Sequence, residues 1–190
     1  AMSSRVGVGD ARFHYGGDAG PVDTVFLGIF RRAPLFAAGL FDEDLSRNQD
    51  YELNIRLRAA GGTVWFDPRL QVVYRPRRTL RKLARQYFEY GRWKRHVIGM
   101  HPESTRLRQL VPPLFLIALT ASVILGLAGL TIPSLLVPGA YLILLLGATA
   151  IQLVKRRDAA VLLFPAAVAT MHVAWGLGFL TGTQSSKRER

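Results

Sequence analysis

Residues 111–131 read VPPLFLIALTASVILGLAGLT, an uncharged apolar run that is long enough to cross a bilayer core as one helix. About 20 such residues span the hydrocarbon region. Residues 134–154 and 160–181 form two further runs of the same kind. We therefore predict an all-α transmembrane region of three helices within residues 111–182. The alternative is that one of the runs forms a buried or re-entrant helix.

Proline and histidine residues refine this prediction. Pro112 and Pro113 are predicted in the first turn of the first helix, where a missing amide hydrogen costs little. Residues 132–134 are predicted to form a tight turn between the first two helices. His172 lies in the middle of the third run, and we expect it to hydrogen-bond to a neighbouring helix rather than bind a metal ion or relay protons.

The charged residues of the chain lie outside these runs. Lys and Arg number 25 against 13 Asp and Glu, which gives a net charge of +12. Basic residues concentrate in residues 77–95 and 155–157, so the positive-inside rule places both segments on the cytoplasmic side of the plasma membrane. Three helices would place the basic tail, residues 183–190, on the other side, although so short a tail constrains the orientation only weakly. The chain has no cysteine, which excludes disulfides and thiolate metal sites.

The amino-terminal part is predicted as α/β. Residues 22–30, 63–66 and 70–75 are rich in β-branched and aromatic side chains, which is typical of short strands. A helix is predicted between the first strand and the second.

A candidate general base lies at the start of that helix. Residues 46–49 fit a capping box, so the helix should begin there, pair Glu52 with Arg56, and end at residues 61–62. Asp50 falls in its first turn, where the helix amino terminus favours an ionised carboxylate. An ionised carboxylate can accept a proton from an attacking hydroxyl. The other interpretation is that Asp50 only stabilises the helix.

Residues 79–100 are predicted to form an amphipathic helix at the membrane interface. Apolar side chains recur with a helical period, and arginines and lysines crowd the other faces. Gln86 and Trp93 are seven residues apart and share a face, with Arg92 to one side. Arg92 could contact phosphate, because a guanidinium pairs two phosphate oxygens at once. The alternative is an anchor helix whose cations only reach toward headgroups.

Two segments resemble the carboxyl-terminal part of bacterial, membrane-anchored family 2 glycosyltransferases, in particular the succinoglycan-type exopolysaccharide transferases. One is residues 39–57, GLFDEDLSRNQDYELNIRL, and the other contains Gln86, Arg92 and Trp93. The resemblance implies that Asp50 is the catalytic base. It also implies that Gln86, Arg92 and Trp93 contact the phosphates of the sugar donor or of a lipid-linked acceptor.

The match to the family pattern is incomplete. Gln49 stands where many such transferases have glutamate. Five residues separate Gln86 from Arg92, more than in processive synthases, which favours the addition of single sugars. The paired glycines of residues 6–10, together with Arg31 and Arg32, fall where the family has its acceptor loop, so the resemblance implies that they hold the acceptor.

The resemblance also implies a domain organisation. Residues 1–78 would be the acceptor-side half of a GT-A catalytic domain, residues 79–110 an interfacial segment, residues 111–182 the membrane anchor and residues 183–190 a basic tail. The nucleotide-binding half would be missing, so we expect a fragment that is inactive alone. The family uses a divalent metal, Mg²⁺ or Mn²⁺, whose ligands would lie in that missing half; we assign no metal ligand here, including residues 42–44.

The function implied is inverting transfer of a sugar from a nucleotide sugar to a lipid-linked or saccharide acceptor, in cell-surface polysaccharide or glycolipid synthesis at the cytoplasmic membrane face. One alternative is a non-enzymatic basic membrane protein that binds anionic lipid or nucleic acid. The positive-inside rule already accounts for much of the charge and no nucleic-acid-binding motif occurs, so no nucleic acid is expected. Another alternative is a split transferase whose other half is a separate polypeptide.

Overall fold

The computed structural model describes residues 17–73 and 77–182. The predicted glycine segment at residues 6–10, residues 74–75 at the end of the third predicted strand and the basic tail lie outside the described residues. In chain order the elements are β1 (Gly20–Pro21), α1 (Arg32–Ala37), α2 (Gln49–Ala59), β2 (Trp65–Phe66), α3 (Leu80–Met100), a 3₁₀ turn (Pro102–Ser104), α4 (Leu107–Leu127), α5 (Thr131–Arg156), a 3₁₀ segment (Ala159–Leu163) and α6 (Phe164–Thr181).

The described chain is mostly helical, with one short antiparallel ladder. Gly20 pairs with Phe66, and Pro21 pairs with Trp65. The predicted strand at residues 63–66 is thus confirmed for its last two residues. The prediction of a strand at residues 22–30 is wrong, because the backbone there is irregular and Leu27 adopts a positive φ of 53° that interrupts an extended chain.

The third predicted strand is also wrong over its described part. Residues 70–73 have no regular structure and no ladder partner. Val72 and Val73 are 60% and 91% exposed, so their β-branched side chains have nothing to pack against. A β propensity without a neighbouring strand does not make a strand.

Three helices are long and apolar enough to cross a membrane: Leu107–Leu127, Thr131–Lys155 and Ala159–Thr181. The predicted number of spans is confirmed. The first begins four residues earlier than expected, so Pro112 and Pro113 lie in its second turn. Transmembrane helices tolerate such interior prolines.

The turn between the first two spans lies earlier than the predicted residues 132–134. Gly129 adopts a left-handed φ of 80°, and the amide of Leu130 donates to the carbonyl of Leu125 at 2.9 Å. This is how glycine commonly terminates a helix. Pro133 and Ser134 consequently lie in the first turn of α5.

Helix α3 packs lengthwise on α6. The Oγ of Thr79 accepts a hydrogen bond from the amide of Lys82 at 3.3 Å and caps α3. Leu83 and Tyr87 are buried against Met171 and Ala174 of α6. The predicted amphipathic helix is therefore confirmed as a helix, and its apolar face is covered by the third span.

Helix α2 packs in turn on the carboxyl-terminal half of α3. Leu45, Tyr51, Ile55 and Val97 form one buried cluster, with Trp93 packed against it. The helix ends before Gly61, as predicted. The predicted capping box is wrong, because Asn48, at a left-handed φ of 62°, precedes the first helical residue and its side chain makes no capping bond.

Candidate functional site

Asp50 lies in the first turn of α2 and is half-buried. Its Oδ1 accepts a hydrogen bond from the amide of Tyr51 at 2.9 Å. Burial raises the pKa of Asp50 above its usual value, and hydrogen bonds from the amides of Tyr51 and Asp50, with the nearby charge of Lys94, offset part of that rise. A carboxylate whose pKa is raised is a stronger base than an exposed one once it is ionised.

Lys94 of α3 faces the same turn of α2. The side chain is buried, at 8% exposure, and its Nζ lies 3.1 Å from the centroid of the Tyr51 ring. The pKa of Lys94 is lowered to about 7, mainly by burial and also by the charge of Arg108, while the charges of Asp23 and Asp50 oppose the shift. The site therefore holds a carboxylate and an amine whose pKa values have both moved toward neutrality.

Glu52 anchors α2 from inside the protein. It is 1% exposed and forms the predicted pair with Arg56, at 2.7 Å from Nη2 to Oε2. His101 lies 2.9 Å from its other oxygen. Burial alone would raise the pKa of Glu52, but the hydrogen bonds from Arg56 and His101 outweigh it and lower the pKa. Arg56 also donates to the carbonyl oxygens of Ala38 and Leu40, which fixes the segment that leads into α2.

Further hydrogen bonds join α2 to the start of the first span. The Tyr51 hydroxyl donates to the carbonyl of Ser104 at 3.0 Å and accepts from Nε2 of Gln109 at 3.1 Å. One residue earlier, Arg108 pairs with Asp23 at 2.7 Å. The turn that carries Asp50 is therefore held at the start of α4.

The predicted residues of α3 occupy three different environments. Gln86 is buried, with its amide oxygen accepting from Arg77 and its nitrogen donating to the hydroxyl of Tyr90 at 2.8 Å. Trp93 packs against the cluster that α2 forms with α3. Arg92 is 47% exposed, with its Nε 3.8 Å from Glu89 and its guanidinium 5.7 Å from the Trp93 ring. Of the three, Arg92 is the residue placed to meet a ligand from solvent.

Arg31 and Arg32 lie apart from this arrangement. Both are exposed at the start of α1, and the guanidinium of Arg32 lies 5.3 Å from the Phe36 ring. In the ranges that the structure describes, no hydrogen bond or ion pair links either arginine to Asp50. Their role toward an acceptor stays a prediction.

Sequence reasoning did not select Lys94, Tyr51 or Gln109. A signal for Lys94 was present, because it lies seven residues after Tyr87 and three before Val97, on the face of α3 that is otherwise apolar. A cation on such a face indicates a buried charge with a specific environment. Among residues 17–73 and 77–182, no group of three or more His, Asp or Glu side chains gathers to hold a metal ion.

These features define a class: a membrane protein with two stacked polar helices, α2 and α3, and three apolar helices. Helix α2 is hydrogen-bonded at the start of the first apolar helix, and α3 packs on the third. Within that class the chain is similar to the succinoglycan biosynthesis protein ExoA of Rhizobium meliloti (strain 1021), with 29% identity over 180 residues. The match covers 94% of this chain and 53% of the relative, so the chain spans about half the length of the curated relative it matches. It confirms the resemblance to succinoglycan-type proteins predicted from the sequence. No family model and no solved structure matches the chain.

Proposed function

We propose that this chain functions in a family 2 glycosyltransferase that transfers a sugar, with inversion, from a nucleotide sugar to a lipid-linked acceptor in cell-surface polysaccharide synthesis. The observation that carries the proposal is the similarity to a succinoglycan biosynthesis protein over 180 residues, which include both the polar helices and the three apolar helices. A likeness over the membrane anchor alone would say nothing of chemistry. In this chain the similarity also covers the turn of α2 that holds Asp50.

In this proposal Asp50 is the catalytic base. Its carboxylate takes the proton of the acceptor hydroxyl while that oxygen bonds to the anomeric carbon, and the bond from the same carbon to the nucleoside diphosphate breaks. Burial raises the pKa of Asp50, which increases its basicity, and the adjacent amide bonds and Lys94 limit the rise. A base of this kind is effective when its pKa lies near the working pH.

Arg92 is the proposed phosphate contact. Its guanidinium is half exposed beside the Trp93 ring, so it can offer paired donors to the diphosphate of the donor or to a lipid phosphate. Gln86 and Trp93 support it by fixing the face of α3. The family resemblance also implies Mg²⁺ or Mn²⁺, but the described residues do not offer a ligand set, and no step is assigned to a metal.

The proposed acceptor is lipid-linked, and the proposed location is the cytoplasmic face of the inner membrane. The support for a lipid acceptor is positional, because α3 lies along α6 and the turn that carries Asp50 is hydrogen-bonded to the start of α4. The support for the cytoplasmic face is the concentration of basic residues in the part of the chain that precedes the first span.

The test is sugar transfer by the natural full-length protein in membranes, with a panel of radiolabelled nucleotide sugars and a membrane lipid extract as acceptor. Asp50→Asn removes the base and keeps the shape, and we expect transfer to fall by at least about 100-fold, the usual contribution of a general base. Glu43→Gln, an equal change of charge at an exposed position, is the matched control and should retain transfer.

Two results would count against the proposal. Equal transfer by Asp50→Asn and by the parent protein would remove Asp50 from the mechanism. No transfer from any donor, combined with binding to anionic vesicles that weakens steeply with salt, would favour a non-enzymatic basic membrane protein.

A further inference from the structure

Lys94 is a buried charged side chain whose part in the mechanism above is limited to its effect on the pKa of Asp50. It lies on the apolar face of α3, it is 8% exposed, and it packs its ammonium on the face of the Tyr51 ring. Among the described residues, no carboxylate lies within 4.0 Å of its Nζ. A lysine is rarely buried in this way without a paired anion. The position thus carries a desolvation cost that a leucine would avoid.

Charged groups from three other segments of the chain act on Lys94. Asp50 and the Tyr51 ring belong to α2. Asp23 lies in the segment before α1, and Arg108 lies at the start of α4. Asp23 is already paired with Arg108 at 2.7 Å. Asp50 is therefore the acidic group near Lys94 that has no paired cation of its own.

Tyr51 couples the two groups mechanically. It follows Asp50 in the chain, and its amide donates to the Asp50 carboxylate. Its ring carries the Lys94 ammonium, and its hydroxyl is bound at both Ser104 and Gln109. A ring fixed at its far end and stacked on a cation cannot turn without moving the backbone beside Asp50. Cation–π contacts of desolvated groups contribute about 2 kcal/mol, enough to hold one arrangement.

We propose that Lys94 is the positioning residue for Asp50: its ammonium, seated on the Tyr51 ring, holds the first turn of α2 against α3 and keeps the neighbouring carboxylate ionised. This inference rests on the proposed role of Asp50 as a base. It assigns Lys94 an effect through Asp50 and not through contact with the substrate.

The test is the pH dependence of sugar transfer by the full-length protein in membranes, measured for the parent, Lys94→Met, Lys94→Arg and Asp50→Asn. At pH below about 7, where Lys94 is an ammonium, transfer by the parent is expected to rise with pH as Asp50 loses its proton. Lys94→Met removes the nearby cation, which raises the pKa of Asp50 and moves this rise to higher pH. We expect Lys94→Met to lose about three- to tenfold more transfer at the acidic end of the profile than elsewhere. This is the size of effect expected from one nearby charge that solvent partly screens. Lys94→Arg keeps the charge and should leave the rise where it is in the parent.

The shape of the profile separates the effect of the Lys94 charge on Asp50 from a merely structural role. A structural lysine would lower transfer by the same factor at every pH in Lys94→Met, and that uniform loss would overturn the inference. If Lys94→Met does not insert or fold, Lys94→Gln removes the same charge with a polar side chain of similar length. If Asp50→Asn retains full transfer, the proposed function fails with the inference. If Asp50→Asn is inactive while the neutral Lys94 variant keeps the parent profile, the inference alone fails.

Discussion

The contact between α3 and α6 is close enough that a single methyl group should separate the two helices. Gly178 of α6 faces the backbone of Phe88 in α3. A Cβ at Gly178 would collide with the carbonyl oxygen of Phe88 and would lie 2.8 Å from its carbonyl carbon and 3.0 Å from its Cα. Carbon atoms pack at about 3.5–4.0 Å. Because the obstacle is helix backbone, no rotamer change relieves the clash, and Gly178→Ala must push the helices apart.

The expected cost follows from two opposing effects. Overpacking of a well-packed contact costs about 1–3 kcal/mol, and replacing glycine by alanine inside a helix returns about 0.5–1 kcal/mol. Because the obstacle is backbone, the overpacking cost falls in the upper half of its range, about 2–3 kcal/mol, and with about 1 kcal/mol returned the net destabilisation is about 1–2 kcal/mol. For a chain of this size each kcal/mol lowers the melting temperature by about 2–4 °C, so Gly178→Ala should melt about 2–8 °C below the parent.

The measurement is thermal unfolding in detergent, followed by tryptophan fluorescence, since Trp175 lies beside the contact. Gly147→Ala is the matched control, because Gly147 lies in α5 with nothing within 4 Å of the added Cβ. That control should melt at or slightly above the parent temperature. If Gly178→Ala melts at the same temperature as Gly147→Ala, then α3 does not pack on α6 in the manner described.

Two further predictions concern buried polar contacts. Glu52→Gln should lower the free energy of unfolding by about 1–3 kcal/mol at pH 7, because Arg56 and His101 lose an ionised partner. The lowered pKa of Glu52 means that its contribution is present above the unfolded-state value of 4.5 and is lost as pH falls through the folded-state pKa, so denaturant titrations of the two proteins should converge in acid. Tyr141→Phe removes the 3.0 Å hydrogen bond to His172 between α5 and α6 and should cost about 0.6–1.7 kcal/mol in detergent unfolding; no change would show that the bond is not made in the folded protein.

The three spans could be predicted from the sequence because each depends on a local property, a run of apolar residues of bilayer length. The same applies to α2 and its Glu52–Arg56 pair, which follow from helical spacing. The predicted hydrogen bond of His172 is confirmed, since a polar side chain among apolar residues needs a partner and Tyr141 provides it. These features need no knowledge of which elements are neighbours in space.

The errors concern features that depend on such neighbours. Residues 22–30 and 70–73 have strand-like composition, but a strand also needs another strand beside it, and the described chain provides only the two-residue ladder. Helix α3 was predicted from its amphipathic pattern. The sequence did not indicate that α6, not lipid, covers its apolar face, because the close approach depends on Gly91 and Gly178 meeting backbone across the contact.

The same distinction explains what was missed in the candidate site. Asp50 could be selected because a carboxylate in a first helical turn is visible in the sequence. Lys94 could not be connected to it, because the connection passes through the Tyr51 ring across the α2–α3 contact. A sequence pattern assigns a lysine to the polar face by default. The structure places Lys94 on the buried face of α3, where its charge acts on the first turn of α2.

The order in which the helices stack fixes the candidate site relative to the apolar helices. Helix α2 packs on α3, and α3 packs on α6, so the position of Asp50 relative to the apolar helices depends on two helix contacts in series. The hydrogen bonds from Tyr51 to Ser104 and Gln109 add a third attachment, at the start of α4. Helix α2 is thus attached to α6 through α3 and to the start of α4 directly. These attachments leave the first turn of α2 little freedom to tilt. If Asp50 is the base of the proposed transfer, this arrangement would hold it at a fixed distance from the three apolar helices.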